Sequence, residues 1–512
     1  MSLRHAIAVA LLLLVPAWPA RAQEEQGHAG SHDTGSHDAG GHVVTPDGTI
    51  TMPAEHLQVM IDETPRSGTL VVPDAIYVGT VTIDRPLTVV GSGDAVIDGN
   101  REGSVVTITA PDVTLRGLTL RRSAPGPIGS PSGVMVERAD RASLLDLTID
   151  DSYMGITVRA SDDVVIERVA ISGHGVITGE EHAVETDAEE ADHGGHADGN
   201  QAAPMRTDAQ VRGDGIWLWN APGAIVRTTT ISETRDGIYI SYGTGVLIER
   251  NRILDSRYAI HDMYAADLTV RDNAFEGNLS GVVLMYGGPV EVSGNAIVDS
   301  GSPSTGFGVL VKDAGSVALE GNVVADNRVG IQADDAGRTG GEPTSITGNT
   351  IAMNHVGLLL MPSADSVVVG NGFVENSTQV TLGGQGSTQV RWSLDGVGNH
   401  WSDYGGFDAD GDGTGDVAHV ESGRISELLA AEPMLLALAS GPAFSLLGSI
   451  EGRWSADETL MRDEAPLMAA PGPALRGGAR GPRVALWVPA TALVAGCGWQ
   501  LLRARRPRRR PR

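Results

Sequence analysis

The sequence predicts an all-β fold, a right-handed parallel β-helix, followed by short C-terminal helices and a C-terminal transmembrane helix. Two periodic series support the β-helix: a glycine that precedes an alternating apolar strand, and an asparagine that ends a second strand, both at steps of about 22 residues. Glycine is abundant, at 67 of 512 residues, and aromatic residues make up only 4%. This composition is unusual for several separate globular cores and favours one long repeat domain.

The glycine series gives the coils of the solenoid. Most of its steps are 22 residues and two are 27, and it runs through Gly133, Gly155, Gly215, Gly237, Gly281, Gly308, Gly330 and Gly357, with Ala259 in one coil. The asparagine series keeps the same steps, through Asn251, Asn273, Asn295, Asn322, Asn349 and Asn371. Glycine supplies tight corners, and asparagine tolerates left-handed backbone and stacks on its neighbours. Because one coil cannot bury its own apolar face, the coils must stack with parallel strands paired between them.

The N-terminal region is predicted to be an export signal followed by a leader. Its apolar run is about ten residues, too short to span a bilayer, and Ala20 and Ala22 are the small residues that a signal peptidase needs. We therefore predict a signal peptide at 1–22, a His-rich disordered leader at 23–48 and the β-helix at 49–420.

Two further segments depart from the repeat. One step of 60 residues in the glycine series predicts an acidic, His-rich loop inserted at 174–209. After the solenoid, amphipathic periodicity predicts a helical cap or docking segment over 421–465, and a Pro- and Gly-rich linker follows at 466–483.

The C-terminus is predicted to hold the chain at a membrane. Residues 484–502 are mostly apolar and long enough to span a bilayer, and an Arg-dense tail follows at 503–512. The positive-inside rule makes this tail cytoplasmic. The sequence thus predicts a single-pass anchor, with the β-helix in the periplasm or on the extracytoplasmic face of the cell membrane.

Charge and cysteine content exclude several functions. The formal net charge is −27 even with the Arg-dense tail included, so the exported part would repel nucleic acid. The only cysteine, Cys497, lies inside the predicted transmembrane helix. The exported part therefore has no disulfide and no thiolate with which to bind a metal.

After the signal peptide, the chain resembles the NosD family. The matching segments are 213–220, 235–239, 257–264, 281–286, 308–313, 398–404, 408–416 and 463–468. Their order, and the Trp401-Ser-Asp-Tyr404 stretch that leads into the Asp-rich loop, are more specific than any single coil. The chain departs from the family pattern in its His-rich leader and insertion, in Ala259 and in the C-terminal anchor.

The resemblance implies a copper-handling subunit rather than an enzyme. Its implied partners are an ABC-type permease and ATPase, a copper donor chaperone and nitrous oxide reductase, whose copper–sulfur centre it helps to build. None of these functions follows from the composition or the repeat period of the chain.

Strand alternation predicts one face that carries most of the chemistry. The first and third residues after each coil glycine point inward, and the second and fourth point outward. The outward set contains His261, Met263 and Met285, with the two methionines on adjacent coils, and imidazole and thioether ligands suit Cu(I). The aromatic members predict a partner-docking surface, with plain packing as the alternative: Trp217, Trp219, Tyr239, Tyr242, Tyr264 and Tyr286.

Two low-complexity tracts are rich in histidine and predict capture of copper or another divalent metal. They contain His28, His32, His37 and His42 in the leader, and His174, His182, His193 and His196 in the insertion. A solvated tail and a solvated loop are the alternatives.

The Asp-rich loop resembles the first half of a calcium loop, in which alternate carboxylates converge on a hard cation. Its acidic residues are Asp408, Asp410, Asp412 and Asp416, with Gly413 at the sixth position. The twelfth position is His419 instead of the usual bidentate glutamate. Both a calcium site and a turn-rich cap are therefore consistent with the loop.

Two other classes of function compete with copper handling: an extracytoplasmic carbohydrate lyase, epimerase or hydrolase, and a surface-adhesion solenoid. Carbohydrate enzymes on this fold need clustered carboxylates with Arg or Lys on an exposed strand face. The candidate carboxylates are interpreted instead as turn residues, because most precede coil glycines: Asp214, Asp236, Asp262 and Asp313. The sequence favours a non-enzymatic copper-handling factor.

Overall fold

The computed structural model describes residues 36–37, 43–44, 48–92, 94–126, 129–173, 212–302, 305–334, 342–361, 365–382, 389–422 and 459–471. Three sheets run along the solenoid, and each coil contributes one strand to each sheet. The strands pair in parallel from coil to coil, so the parallel β-helix predicted from the repeats is confirmed.

The first sheet has 16 strands. They are β1 (Ser36–His37), β2 (Val43–Val44), β3 (Ile50–Pro53), β5 (Ile76–Val78), β8 (Val96–Asp98), β11 (Thr119–Arg121), β14 (Thr148–Asp150), β17 (Ala170–Ser172), β20 (Thr230–Ser232), β23 (Arg252–Leu254), β26 (Ala274–Glu276), β29 (Ala296–Val298), β32 (Val323–Ala325), β35 (Thr350–Ala352), β38 (Gly372–Val374) and β41 (His400–Trp401).

The second sheet has 13 strands. They are β4 (Thr69–Val72), β7 (Thr88–Gly91), β10 (Thr114–Arg116), β13 (Ser143–Leu145), β16 (Val165–Glu167), β19 (Ile225–Arg227), β22 (Leu247–Glu249), β25 (Leu268–Arg271), β28 (Val290–Ser293), β31 (Val317–Glu320), β34 (Thr344–Thr347), β37 (Asp365–Val369) and β40 (Gln389–Arg391).

The third sheet has 12 strands and carries the coil glycines. They are β6 (Val81–Ile83), β9 (Val106–Ile108), β12 (Ser132–Glu137), β15 (Met154–Arg159), β18 (Ile216–Trp219), β21 (Asp236–Ser241), β24 (Tyr258–Met263), β27 (Ser280–Met285), β30 (Phe307–Lys312), β33 (Val329–Asp334), β36 (Val356–Leu360) and β39 (Thr378–Leu382).

The core is a set of apolar columns that run along the solenoid. In the third sheet, Ile216, Ile238, Ile260 and Val282 occupy one register position on successive strands, and all are 0% exposed. Each such side chain is buried only because the coils on either side cover it. Stacking of β-branched residues in register therefore supplies the apolar burial that a single coil lacks.

The asparagine series forms a continuous hydrogen-bonded ladder inside the solenoid, as predicted. Asn322 donates to Val292 O at 2.8 Å and to Asn349 Oδ1 at 2.9 Å, and it accepts from the backbone and side chain of Asn295. The left-handed backbone lies one residue earlier than predicted: Arg250 and Asp272, not the asparagines that follow them, have φ values of 54° and 55°. The asparagine side chain hydrogen-bonds to backbone groups of the corner on the preceding coil: Asn273 donates to Ile248 O and accepts from Asn251 N.

Replacing Asn322 with alanine is expected to lower the free energy of unfolding by about 1–3 kcal/mol, because buried N–H and C=O groups on both neighbouring coils lose their partner. Urea denaturation would measure the change. Gln332→Ala, which removes a half-buried amide from the outer face of β33, is the control and is expected to have a much smaller effect. Equal effects of the two substitutions would mean that the ladder contributes little.

The coil glycines are required by close packing and not by the corner geometry predicted for them. A Cβ on Gly237 would lie 2.4 Å from Ile253 Cγ2 and 2.6 Å from Ala259 O of the next coil. Gly215 is crowded in the same way, and neither glycine has a positive φ. Both positions bring backbone close to the neighbouring coil, which leaves no room for a side chain.

The N-terminal end differs from the prediction in two ways. Part of the predicted disordered leader is ordered, because β1 and β2 pair antiparallel with each other and β2 pairs with β3. The unpaired edge of the first coil gives these short strands a template. A helix that was not predicted, α1 (Ala54–Glu63), follows β3 and buries Ala54, Leu57 and Ile61 against the end of the core.

The C-terminal end holds a hairpin that was not predicted. β42 (His419–Ser422) pairs antiparallel with β43 (Thr459–Asp463), at the two ends of the predicted cap segment over 421–465. Residues 423–458 lie outside the described part of the chain, so the helical character of this segment stays a prediction. Asp463 accepts hydrogen bonds from Asn399 N at 2.7 Å and Trp401 Nε1 at 2.9 Å, so β43 ends the asparagine ladder. A buried carboxylate takes the place of the next asparagine.

Several predicted segments lie outside the described residues. These are the signal peptide at 1–22, the inserted loop at 174–209 and the anchor with its basic tail at 484–512. Within the part of the chain that the structure does describe, no helix has the length and apolar character needed to cross a membrane.

Candidate functional site

The outer face of the third sheet has the alternation that the sequence predicts. In β18, Ile216 and Leu218 are fully buried in the solenoid, whereas Trp217 is half-buried and Trp219 is 41% exposed. The strand register places Trp217, Tyr239 and His261 in one column on successive coils. The residues predicted to point outward therefore do share one face.

His261 lies on this face but is not exposed, which corrects the prediction of an open surface. Only 1% of the residue is accessible. The ring of Tyr239 stacks on the imidazole at a centroid distance of 4.7 Å, and Tyr258 contacts it edge-on at 5.2 Å. Trp217 stacks in turn on Tyr239 at 6.3 Å. Aromatic neighbours thus cover a ring that strand alternation alone would leave in solvent.

A buried ion pair holds His261 in place. Arg257 donates two hydrogen bonds to Asp236, from Nε to Oδ1 and from Nη2 to Oδ2, both at 2.8 Å. His261 Nδ1 lies 2.9 Å from Asp236 Oδ2. One coil earlier, Asp214 and Arg235 form the same kind of pair, at 2.8 and 3.1 Å. Asp236, Arg257 and His261 together form a cluster that we call the buried triad.

The buried triad corrects the interpretation of the carboxylates as turn residues. Asp214 and Asp236 are 2% and 0% exposed and pair with arginines, whereas Asp313, with a φ of 50°, is a turn residue as interpreted. The sequence does contain a signal for the pairs: each aspartate precedes its arginine by 21 residues. That spacing is one residue shorter than a coil. The arginine therefore lies on the next coil, beside the aspartate of the coil before it.

Ionisation of Asp236 fixes the tautomer of His261. Burial alone would raise the pKa of Asp236, but the charge of Arg257 and the hydrogen bond from His261 outweigh burial and hold the pKa well below its usual range. An ionised carboxylate only accepts hydrogen bonds, so Nδ1 of His261 carries the proton. Nε2 of His261 is buried and has no hydrogen-bond partner among the described residues. A histidine oriented in this way by a carboxylate presents its other nitrogen to a metal.

Met263 and Met285 lie side by side on adjacent coils, as predicted. They occupy one register position on β24 and β27, and both are half-buried. The hydroxyl of Tyr239 lies 3.4 Å from Sδ of Met263. Both thioethers therefore lie on the outer face of the third sheet, as His261 does. A set of thioether and imidazole donors suits Cu(I).

Asp262 is the most unusual residue of the same coil, because it points into the core. It occupies the register position of Ile240 and Leu284 and is 0% exposed. Its Oδ1 accepts a hydrogen bond from Ala265 N at 3.1 Å, while Oδ2 has no partner among the described residues. Burial raises the pKa of Asp262 to about 7. A carboxyl group replaces an apolar core residue directly beside His261, at a cost in stability.

Three tyrosines form a stacked column at the corner that follows this face. Tyr242, Tyr264 and Tyr286 stack with centroid distances of 5.2 Å between successive rings. Each has a left-handed backbone, with φ values of 57°, 63° and 62°. Tyr242 is 56% exposed and Tyr264 is 37% exposed. An accessible aromatic column beside the half-buried Trp217 and the exposed Trp219 has the character of a protein-binding surface.

The Asp-rich loop folds as a series of tight turns. Asp408 accepts hydrogen bonds from Gly411 N at 2.6 Å and Gly413 N at 2.9 Å, and these bonds lower its pKa. Carboxylate oxygens of Asp408, Asp410 and Asp412 lie within 4.8 Å of one another. Asp416 is not in this group and instead accepts from Ala409 N at 2.7 Å. The structure therefore brings together three of the four predicted calcium ligands.

Most of the histidines predicted to capture metal lie outside the described residues. These are His28, His32, His42, His174, His182, His193 and His196. His37 is described by its backbone, in β1. Metal capture by the leader and the insertion stays a prediction.

The solved structures that are similar to this chain share little sequence with it. The A-module of the mannuronan C-5 epimerase AlgE6 of Azotobacter vinelandii is 15% identical with a TM-score of 0.41, covering 65% of this chain and 92% of that one. A mutant of the periplasmic alginate epimerase AlgG is 12% identical with a TM-score of 0.44, covering 67% of this chain and 84% of that one. At such identities and TM-scores the likeness carries no argument about function.

Sequence relatives are much closer. The family model described as "Periplasmic copper-binding protein (NosD)" matches residues 195–406. The "Probable ABC transporter binding protein NosD" of Pseudomonas aeruginosa is 34% identical over 407 residues, or 77% of this chain and 87% of that one. Its namesake in Stutzerimonas stutzeri is 34% identical over 412 residues, or 78% of this chain and 86% of that one. This chain belongs to the NosD family.

Proposed function

We propose that this protein is a non-enzymatic copper carrier that works outside the cytoplasmic membrane in building the copper–sulfur centre of nitrous oxide reductase. It receives copper from a donor chaperone and acts with an ABC-type permease and ATPase. The copper-binding description of the family and the relatives' names, which call them ABC transporter binding proteins, support this proposal.

The unpartnered Nε2 of His261 is the observation that carries the proposal. A buried imidazole nitrogen with no hydrogen-bond partner costs free energy unless something occupies it. Asp236 fixes the ring so that this nitrogen is the free one, and Arg257 fixes Asp236. Both are positioning residues for a ligand that binds at Nε2.

The neighbouring donors favour Cu(I) as that ligand. Met263 and Met285 are soft donors, and the imidazole of His261 completes a set with little affinity for Mg²⁺ or Ca²⁺. A carrier must also release its ion, and two thioethers without a thiolate bind copper less tightly than cysteines would. Tyr239 lies over His261 and contacts Met263, so its ring would have to move when copper enters or leaves.

Partner docking belongs to the tyrosine column and the tryptophans next to it. Trp219, Tyr242 and Tyr264 are the exposed aromatic residues of this region, and they border the methionines. A permease or the reductase that docks there would cover the copper ligands and exclude water during transfer. A sugar-modifying enzyme is less consistent with the site, because the Asp236 and Arg257 charges are buried and satisfied by each other.

Two further metal sites are part of the proposal. The three converging carboxylates of Asp408, Asp410 and Asp412 bind Ca²⁺ and so rigidify the loop after the last coil. The histidines of the leader and the insertion collect copper or another divalent metal before it reaches the carrier site.

Replacing both Met263 and Met285 with leucine, or His261 with glutamine, is expected to weaken Cu(I) binding at least tenfold. The full chain would be titrated anaerobically against a chromogenic Cu(I) chelator, after the eight histidines of the leader and insertion have been replaced by glutamine. Tenfold weakening corresponds to about 1.4 kcal/mol of binding free energy for each variant.

Met135→Leu is the matched control, because Met135 lies in β12 of the same sheet, far from the buried triad. It is expected to leave the Cu(I) affinity unchanged. Undiminished Cu(I) binding in both site variants would exclude this face as the copper site and leave it for protein docking alone.

A further inference from the structure

A second group of metal-ligating side chains lies at the C-terminal end of the solenoid, well apart in sequence from the buried triad. Asp403 follows the last strand of the first sheet, and His419 and Glu421 lie on β42. Residues two apart on a strand face the same side, so the histidine and the glutamate project together. The ligand atoms of all three side chains lie within 4.8 Å of one another.

His419 supplies the observation that points to a ligand. Its side chain is only 10% exposed, and its Nε2 is buried with no hydrogen-bond partner among the described residues. The ring stacks on Trp401 at a centroid distance of 4.9 Å and meets Tyr404 edge-on at 5.9 Å. These aromatic rings hold the imidazole so that Nε2 lies 4.0 Å from Oε1 of Glu421. That separation is too long for a hydrogen bond and leaves space between the two atoms.

The chemistry of the group also favours a cation. Three side chains that can each supply a ligand atom lie within 4.8 Å of one another, and two of them are carboxylates. Asp403 Oδ1 also accepts a hydrogen bond from Gln379 Nε2 at 3.3 Å, which helps to orient this carboxylate. A divalent ion between the three donors would occupy Nε2 of His419.

We propose that Asp403, His419 and Glu421 bind a divalent transition-metal ion of the Zn²⁺ type, at a site separate from the proposed copper site. Imidazole nitrogen and carboxylate oxygen are both ligands that Zn²⁺ takes in proteins, and three protein ligands leave a fourth position of the tetrahedron for water. The imidazole makes the site unlike those of Ca²⁺ and Mg²⁺, and the lack of sulfur among the three donors makes it unlike a Cu(I) site.

An ion at this site would join the turn after the last coil to the C-terminal hairpin, across the Asp-rich loop that separates them. Asp403 belongs to the turn after β41, and β42 is half of the hairpin whose other strand ends the asparagine ladder. The ion would therefore clamp the hairpin to the last coil. We expect it to be a structural ion that stabilises the closed end of the solenoid.

The test uses Co²⁺ as a spectroscopic probe for the Zn²⁺ site, in the full chain with the eight leader and insertion histidines replaced by glutamine. The metal-free protein is expected to bind one equivalent of Co²⁺ with visible d–d absorption, and Zn²⁺ should displace it. Zn²⁺ should also raise the unfolding temperature. His419→Gln, Glu421→Gln and Asp403→Asn are each expected to weaken Co²⁺ binding at least tenfold and to abolish the thermal shift.

Two controls match these variants in chemistry. His56→Gln removes an exposed histidine of α1, and Glu464→Gln removes an exposed carboxylate next to β43. Both should keep the Co²⁺ spectrum and the thermal shift. Glu421→Gln and Asp403→Asn change charge without changing shape, so they test the site even if His419→Gln unfolds the hairpin.

The outcomes separate this proposal from the copper proposal. Co²⁺ binding that survives all three substitutions, or no Co²⁺ binding by the parent protein, would overturn the site. Neither result bears on Cu(I) binding at His261, which is measured with a different ion and different variants.

Discussion

Replacing Arg257 with leucine is expected to destabilise the protein by about 3–5 kcal/mol, the range measured when one member of a buried ion pair is removed. Asp236 would remain fully buried next to His261 with its negative charge uncompensated. Protonation of Asp236 or local opening of the coil would relieve this charge. Urea denaturation, followed by the fluorescence of the nearby tryptophans, would measure the loss.

The exposed pair of Arg141 and Asp112 is the matched control. It has the same two-bond geometry, with distances of 2.7 and 3.0 Å, but both side chains are 54% exposed. Arg141→Leu is therefore expected to have little effect, because water replaces the lost partner. A double variant with Asp236→Leu and Arg257→Met should be more stable than Arg257→Leu, since no charge is left buried, but below the wild type because Nδ1 of His261 loses its partner. Equal losses in Arg257→Leu and Arg141→Leu would show that burial does not determine the cost.

Replacing Asp262 with leucine is expected to stabilise the metal-free protein at about pH 8 by several kcal/mol. The pKa of Asp262 is raised from 3.8 to about 7, and about three pKa units correspond to about 4 kcal/mol at 1.36 kcal/mol per unit. Leucine would also complete the apolar column of Ile240 and Leu284. Unfolding followed by urea titration at several pH values would measure the gain.

The sign of the pH dependence follows from the raised pKa of Asp262. Between 3.8 and about 7 the folded protein keeps the Asp262 proton while the unfolded chain loses it, so stability falls as pH rises through this interval. Above it, both states are ionised and the full penalty applies. Asp262→Asn should flatten the dependence without the gain from apolar packing. A wild-type stability that does not fall across the interval would contradict the burial of an ionisable Asp262.

The repeat made most of the fold predictable. Each coil glycine and each ladder asparagine recurs at a regular step. Equivalent residues of successive coils therefore lie side by side when the coils stack. The adjacency of Met263 and Met285 followed directly from this register. Features that repeat are predictable because every coil has the same neighbours above and below it.

The elements at the ends of the solenoid and the burial of the residues in the candidate site could not be predicted from the repeat. Helix α1, the ordered part of the leader and the β42–β43 hairpin occur where a coil has only one neighbour, so the repeat gives no information there. The burial of His261 depends on the sizes of Tyr239 and Tyr258, which strand alternation ignores. The association of His419 with Asp403 depends on the antiparallel hairpin, which was not predicted.

The structures at the two ends of the solenoid limit its association with other copies as well as its length. A stack of parallel strands presents complementary edges at its two ends, so one molecule could add to another without limit, as in a growing fibre. Here α1 covers the first coil with Leu57 and Ile61. Asp463 occupies the next position after Asn399, and its carboxylate has no N–H with which to donate to the amide oxygen of a following asparagine. These caps oppose end-to-end polymerisation and favour a stack of finite length.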